Sequence, residues 1–159
     1  IEILKRAYKA MQKKLNYEWV RRAEEVPYKN SYEALTMASI IEKETGKSIE
    51  ANLISGVFIH RLSIKMKLQS DPTVIYGLGK KFTGDITKKD LLADTPYNTY
   101  TREGIPPAPI TMPGLISIRA ALHPTKTDAL YFVGKGDGTH YFSANLSEHN
   151  SAVRKYQIK

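Results

Sequence analysis

Apolar positions near the start of the chain recur with a helical period. Leu4, Ala7, Tyr8, Met11 and Leu15 stand at i, i+3, i+4, i+7 and i+11, and Lys5, Arg6, Lys9, Lys13 and Lys14 fill the positions between them. That spacing predicts an amphipathic helix with a basic outer face. A second, short helix through Trp19 and Val20 is expected next, ending before Pro27. Asn30 stands three residues ahead of Glu33 in a capping-box spacing, and Gly46 supplies a stop. Together they frame a helix from about residue 31 to 45. Ser48 is the expected cap of another helix, running through Val57, Phe58 and Leu62 to about Met66.

The periodicity then breaks. Asp71-Pro72 reads as a turn, Gly77, Gly79 and Gly84 punctuate the next stretch, and Thr87 with Asp90 predicts one short capped helix. Residues 96–113 hold five of the eight prolines, which predicts an extended surface segment. Pro113-Gly114 opens a short helix that His123-Pro124 closes. Two β-rich runs, Leu130-Tyr131-Phe132-Val133 and Thr139-His140-Tyr141-Phe142, flank Gly-Lys-Gly-Asp-Gly and predict a hairpin over about 129–143. A last helix is expected from about Leu146 to Tyr156. The fold class is therefore α+β, helix-dominated, with one hairpin and a long irregular Pro/Gly-rich middle. Function is expected to concentrate in that middle.

Composition narrows the chemistry. The chain has 159 residues, a length that fits one domain. A chain near this size buries roughly 70% of its unfolded surface, so its core needs no metal or disulfide staple. Cysteine is absent, which excludes a Cys nucleophile, a disulfide framework and Cys-ligated zinc. No apolar run is long enough to span a bilayer. The first residue is Ile1, so the chain is read as a piece of a longer protein. A net charge of +8 points to nucleic acid, anionic lipid or a carboxylate-bearing polymer as partner. The charges are scattered and no Arg-rich arm or RNA-stacking signature accompanies them, so nucleic acid is not the expected one.

The sharpest chemical signal lies in Ala38-Ser39-Ile40-Ile41-Glu42-Lys43-Glu44-Thr45-Gly46. Met37, Ile40, Ile41 and Glu44 share one helical face, whereas Glu42 is expected to point to water. An acid at the end of an apolar stripe is desolvated and lies against the negative end of the helix dipole. Both effects raise its pKa, as a general acid requires. Gln69 and Asp71 form a second polar cluster, and Tyr97-Asn98-Thr99-Tyr100 a third. The four histidines lack metal-ligand spacing and read as structural. Gly77-Leu78-Gly79-Lys80-Lys81 lacks the spacing of a phosphate loop, and no Gly-x-Ser-x-Gly elbow occurs.

Taken together, the blocks Ala38–Thr45, Val57–Leu62, Leu68–Gly77, Tyr97–Tyr100, Gly104-Ile105-Pro106-Pro107, Ala120–Pro124 and Leu130 to Leu146 resemble the endolytic murein transglycosylases, the YceG-like family. The resemblance runs in order from about residue 28 to the end, with residues 1–27 as a helical lead-in. His60 stands where the family pattern expects Asn. The resemblance implies a lysozyme-like style of catalytic domain acting on peptidoglycan strands. It would cleave between N-acetylmuramic acid and N-acetylglucosamine to leave 1,6-anhydromuramoyl ends, terminating nascent strands. It implies Glu44 as catalytic acid and base, Gln69 and Asn98 holding acetamido and hydroxyl groups, Tyr97 and Tyr100 as stacking surfaces, and Asp71 orienting the cluster. It implies no metal or organic cofactor. The intact protein would carry a membrane helix and a LysM-like domain, sit on the outer face of the bacterial cytoplasmic membrane beside anionic lipid, and meet the glycan-polymerising synthases. The competing readings are a muramidase using Glu44 and Asp71, a non-catalytic peptidoglycan-binding module and a basic nucleic-acid binder.

Overall fold

The computed structural model describes residues 1–157. Its first helix, α1 (Glu2–Trp19), is continuous through the region where two helices are expected, because no breaker separates Leu15 from Trp19. Its inner end carries Leu15 into the core, and Glu18 takes a 2.8 Å ion pair from Arg119. The next helix, α2 (Ser31–Glu44), starts where its Asn30 side chain accepts from the Glu33 N–H at 3.0 Å; the Glu33 carboxylate in turn accepts from the Lys29 N–H. The cap is therefore shifted by one residue from a reciprocal box.

α2 is the centre of the molecule. Every residue from Thr36 to Ile41 is buried, so the helix is enclosed on nearly all sides and not only along one stripe. Around it pack α3 (Ala51–Ser63), α6 (Leu115–Leu122), α1 and α4 (Asp71–Leu78). Ala-rich faces permit close approach: Ala34 and Ala38 of α2 and Ala120 and Ala121 of α6 are all buried in one cluster with Ile40, Ile41 and Leu122. Ser48–Glu50 forms a 3₁₀ turn ahead of α3. That helix stops at Ser63, not Met66, because Lys65 enters the left-handed region (φ 57°). The Met66 and Lys65 N–H groups then bond back to the Arg61 and Leu62 carbonyls at 2.8 and 3.2 Å, a Schellman closure.

Asp71-Pro72 is not a turn but the start of α4. Proline is tolerated in a first helical turn, where its missing N–H has no intrahelical partner to lose. The short α5 (Lys88–Leu92) carries the predicted Thr87–Asp90 capping box. The proline-rich stretch is only partly a surface segment: Pro106, Ile110 and Pro113 are buried, and the Ile110 N–H donates to Ser39 Oγ at 2.9 Å. Strands β1 (Tyr131–Gly134) and β2 (His140–Ser143) pair antiparallel with Phe132 opposite Phe142, one residue later than the sequence pattern places them. Helix α7 (Leu146–Tyr156), capped by Asn145 on the Glu148 N–H, packs on both strands. No described helix is long and apolar enough to cross a membrane.

Candidate active site

Glu44 is the last residue of α2, where the chain leaves the core for the surface. Thr45 closes the helix with both its N–H and its hydroxyl donating to the Ile41 carbonyl, at 2.9 and 2.7 Å. The Glu44 side chain lies partly exposed on the floor of an open groove of about 500 Å³. Gln69, Asp71 and Tyr100 line one side of that groove; Tyr131, Phe132 and His140 of the hairpin and His149 and Val153 of α7 line the other.

The hydrogen bonding around Glu44 is one-sided. Ser70 Oγ donates to Glu44 Oε1 at 2.6 Å, while Oε2 takes no hydrogen bond from the described residues. Ser70 is itself held by buried hydroxyls. Its N–H donates to Thr99 Oγ1 at 3.0 Å, its carbonyl accepts from Thr73 Oγ1 at 2.6 Å, and the Thr73 and Thr99 hydroxyls meet at 2.8 Å. All three of these residues are buried. One oxygen of the acid is thus fixed by a rigid polar base and the other is left for a ligand.

Burial pushes the Glu44 carboxyl above the usual range, and the negative charge of Asp71 adds to that. The Ser70 hydrogen bond, the nearby His140 ring and the positive charge of Arg61 oppose it, but desolvation is the larger effect. The arrangement shifts this carboxyl toward its protonated form relative to an exposed glutamate, the direction a general acid requires.

The remaining expected residues divide into those in the groove and those under it. Gln69 and Asp71 are exposed in the groove, and Tyr100 donates its hydroxyl to Asp71 Oδ1 at 2.5 Å. Burial, followed by that hydrogen bond, raises the Tyr100 phenol's pKa and keeps it a donor. Gln69 takes a left-handed backbone (φ 51°), rare for a residue with a side chain and frequent where sites hold strain. Asn98 is not a ligand-facing residue. It is 1% exposed, its amide donates to the Leu91 and Ala93 carbonyls at 3.1 and 2.7 Å, and its carbonyl accepts from the Tyr100 N–H at 2.8 Å. Tyr97 does not line the groove; its ring stands 4.7 Å from that of Tyr76 and packs against the core. Neither lines the groove over Glu44.

Glu42 is exposed as expected, yet it is not idle. Its Oε2 accepts from the Gly114 N–H at 3.0 Å and from Ser117 Oγ at 2.6 Å, closing the N-terminus of α6 from outside. Sequence reasoning missed Ser70, Arg61, and the hairpin and α7 wall. Arg61 is buried among carbonyls, donating to Leu130, Lys67 and Leu68 at 2.6, 3.1 and 2.8 Å. It stitches the residue just ahead of β1 to the strap that carries Gln69 and Ser70. Its position at the end of α3, facing inward among apolar neighbours, is the one signal that could have found it. His60, at the family's Asn position, lies outside the groove with Nδ1 3.3 Å from the Ala129 carbonyl oxygen. Among the described residues no group of three or more His, Asp or Glu side chains is placed to hold a metal ion.

A helix-dominated α+β domain that ends its central helix in one desolvated acid, on the floor of an open groove, is the class defined by fold and site. The chain belongs to the YceG-like family, whose model matches residues 1–155 and so includes α1 as well as the motif blocks from residue 38 onward. It is 48% identical over 125 residues to an endolytic murein transglycosylase of Bacillus subtilis (strain 168), covering 79% of this chain and 34% of that one. It is 37% identical over 129 residues to an endolytic murein transglycosylase of Streptococcus pneumoniae (strain D39), covering 78% and 23%. The crystal structure of a YceG-like protein from Listeria monocytogenes superposes with a TM-score of 0.73 at 46% identity, over 78% of this chain and 40% of that one. The chain thus spans about a third or less of the length of these curated relatives.

Proposed function

We propose that this domain is the lytic part of an endolytic peptidoglycan transglycosylase, cutting the β-1,4 bond between N-acetylmuramic acid and N-acetylglucosamine within glycan strands. The observation that carries the reading is Glu44: a single carboxylic acid with a raised pKa, one oxygen anchored by Ser70 and the other open to the groove. In this reading Glu44 Oε2 protonates the departing glycosidic oxygen as the C1–O bond breaks through an oxocarbenium-like state. The carboxylate so formed accepts the proton of the same sugar's C6 hydroxyl, which attacks C1 and closes a 1,6-anhydro ring. Because nucleophile and electrophile belong to one residue of the strand, orientation replaces a second catalytic carboxylate. Ser70 stabilises the carboxylate between the two steps, and the nearby charge of Arg61 acts in the same direction.

Asp71 supports a second reading, since a carboxylate in the same groove could activate water and make the enzyme a muramidase. Its engagement by the Tyr100 hydroxyl favours an orienting role instead. Such a substrate exists outside the cytoplasmic membrane, so the lytic reading carries an extracytoplasmic location with it, near anionic lipid and the synthases that extend strands. Terminating nascent strands is the role that fits. Mass spectrometry of strands digested by wild type and by Glu44→Gln is the test. We expect anhydro ends from wild type and a loss of at least ~10²–10⁴-fold in the variant, the range general acid–base catalysis supplies. Reducing ends would establish the muramidase, and strand binding without any turnover would establish a binding module.

A further inference from the structure

Two hollows meet at Glu44. Besides the main groove, a second one of about 330 Å³ is walled by Thr45, Gly46, Gly136 and Gly138 on the hairpin turn side. Glu44, Gly134 and His140 line both hollows, so these three residues form the saddle between them. The turn sits tightly on the end of α2, because a Cβ at Gly46 would meet the Gly138 carbonyl oxygen at 2.5 Å. The second hollow is therefore walled in part by glycine backbone.

His140 is held at the saddle from behind. The Glu50 carboxylate accepts from the His140 backbone N–H at 3.1 Å and from Nδ1 at 2.9 Å. Both side chains are well buried, at 12% and 16% exposure, and the Phe132 ring packs edge-on against the imidazole at 5.4 Å. A carboxylate can only accept, so Nδ1 carries its proton and Nε2 is the ring nitrogen left over. Nε2 hydrogen-bonds to no described residue. A histidine oriented by a carboxylate, with its second nitrogen unpartnered beside the acid, is more than a packed ring.

We propose that Glu50 and His140 form a substrate-positioning pair. Glu50 fixes the imidazole, and His140 Nε2 hydrogen-bonds to a hydroxyl or acetamido N–H of the sugar that bridges the two hollows over Glu44. The inference rests on the glycan-cleaving reading and adds to it the residue that seats the strand across the saddle. Asn and Gln at position 140 separate this role from a structural one. Asn can still donate to Glu50 from the Nδ1 position but has nothing at Nε2, whereas Gln reaches the Nε2 position and abandons Glu50.

The experiment measures binding of soluble, uncrosslinked glycan strands by calorimetry to Glu44→Gln and to that variant combined with His140→Asn or His140→Gln, with a melt of each protein. We expect His140→Asn to weaken binding about tenfold, a loss of the order of one to two ordinary hydrogen bonds. His140→Gln should stay within about threefold of its parent, and any fall in melting temperature should be similar in the two variants, since both lose the ring packed against Phe132. Full affinity in His140→Asn, or losses that track falling melting temperatures in both variants, would overturn the proposal and leave the pair as a prop for the hairpin. Turnover by the otherwise unaltered chain is measured alongside. Strand binding without turnover would overturn the lytic reading while leaving the His140 comparison valid, and absence of strand binding would overturn both.

Discussion

Glu42 and Glu44 stand two residues apart on the same helix and do different work, and the helical period alone separates them. The period turns Glu44 toward the groove and Glu42 toward solvent, but it cannot show that Glu42 meets the start of another helix contributed from position 114. Removing that cap with Glu42→Ala should cost about 1 kcal/mol, in the range of lost helix N-caps, measurable by denaturant unfolding with turnover retained. Glu42→Gln keeps an acceptor and should cost only a fraction of that. Unchanged stability in Glu42→Ala would show that the α6 N-terminus is satisfied by water. Asn98 teaches the converse lesson. An Asn between two Tyr reads as a sugar-binding amide, yet its side chain is consumed by four backbone groups. Asn98→Ala should therefore destabilise the fold by about 1–3 kcal/mol, the cost of leaving buried backbone groups unpaired. A raised KM with an unchanged melting temperature would contradict that scaffold role.

At the scale of elements, what was legible followed from local rules. The Asn30 and Thr87 caps, the hairpin around Gly-Lys-Gly-Asp-Gly and the last helix are set by residues a few positions apart, and each lies within a residue or so of its expected place. What escaped depends on distant partners or on a signal with two meanings. Asp71-Pro72 suits a turn and a helix start equally, and the choice is made by Thr73 and Val74 packing inward. Ser70 became part of the site only because Thr99 and Thr73, 29 and 3 residues away, hold it under Glu44. Gly56 is a further case. Within α3 an Ala would normally be the better helix former, by about 1 kcal/mol. Here a Cβ would collide with the Thr125 carbonyl oxygen, where the loop after α6 crosses the helix and the Thr125 N–H bonds to the Asn52 carbonyl at 2.9 Å. Gly56→Ala should thus destabilise by about 1–3 kcal/mol, the usual cost of overpacking, as read from chemical denaturation. Stabilisation by that substitution would mean the loop is free to move off α3.

For the molecule as a whole, the groove exists because three parts of the chain are held at one end of α2: the strap of residues 67–71 by Arg61, the hairpin by the same Arg61, and the Tyr100 segment by Asn98. This architecture surrounds a titratable acid with apolar and polar walls, so folding and ionisation of Glu44 are linked. Its carboxyl has a higher pKa in the folded protein than in the unfolded chain, chiefly through burial and then through Asp71, against the opposing Ser70, His140 and Arg61. A group raised on folding contributes its full stability below the unfolded value, about 4.3 for Glu, and loses that contribution as pH rises through the folded value. At neutral pH the folded protein therefore bears a penalty that a neutral side chain of the same shape does not. Gln at position 44 can still accept from Ser70 Oγ, so the comparison isolates the charge. Thermal melts of the two proteins from pH 7 to pH 4 should show Glu44→Gln more stable at pH 7, with the difference shrinking as pH falls and vanishing near pH 4. A wild type more stable than Glu44→Gln at pH 7 would mean that Arg61, His140 and Ser70 together outweigh desolvation. Glu44 would then rest in the groove as a carboxylate, unable to give the proton that strand cleavage needs.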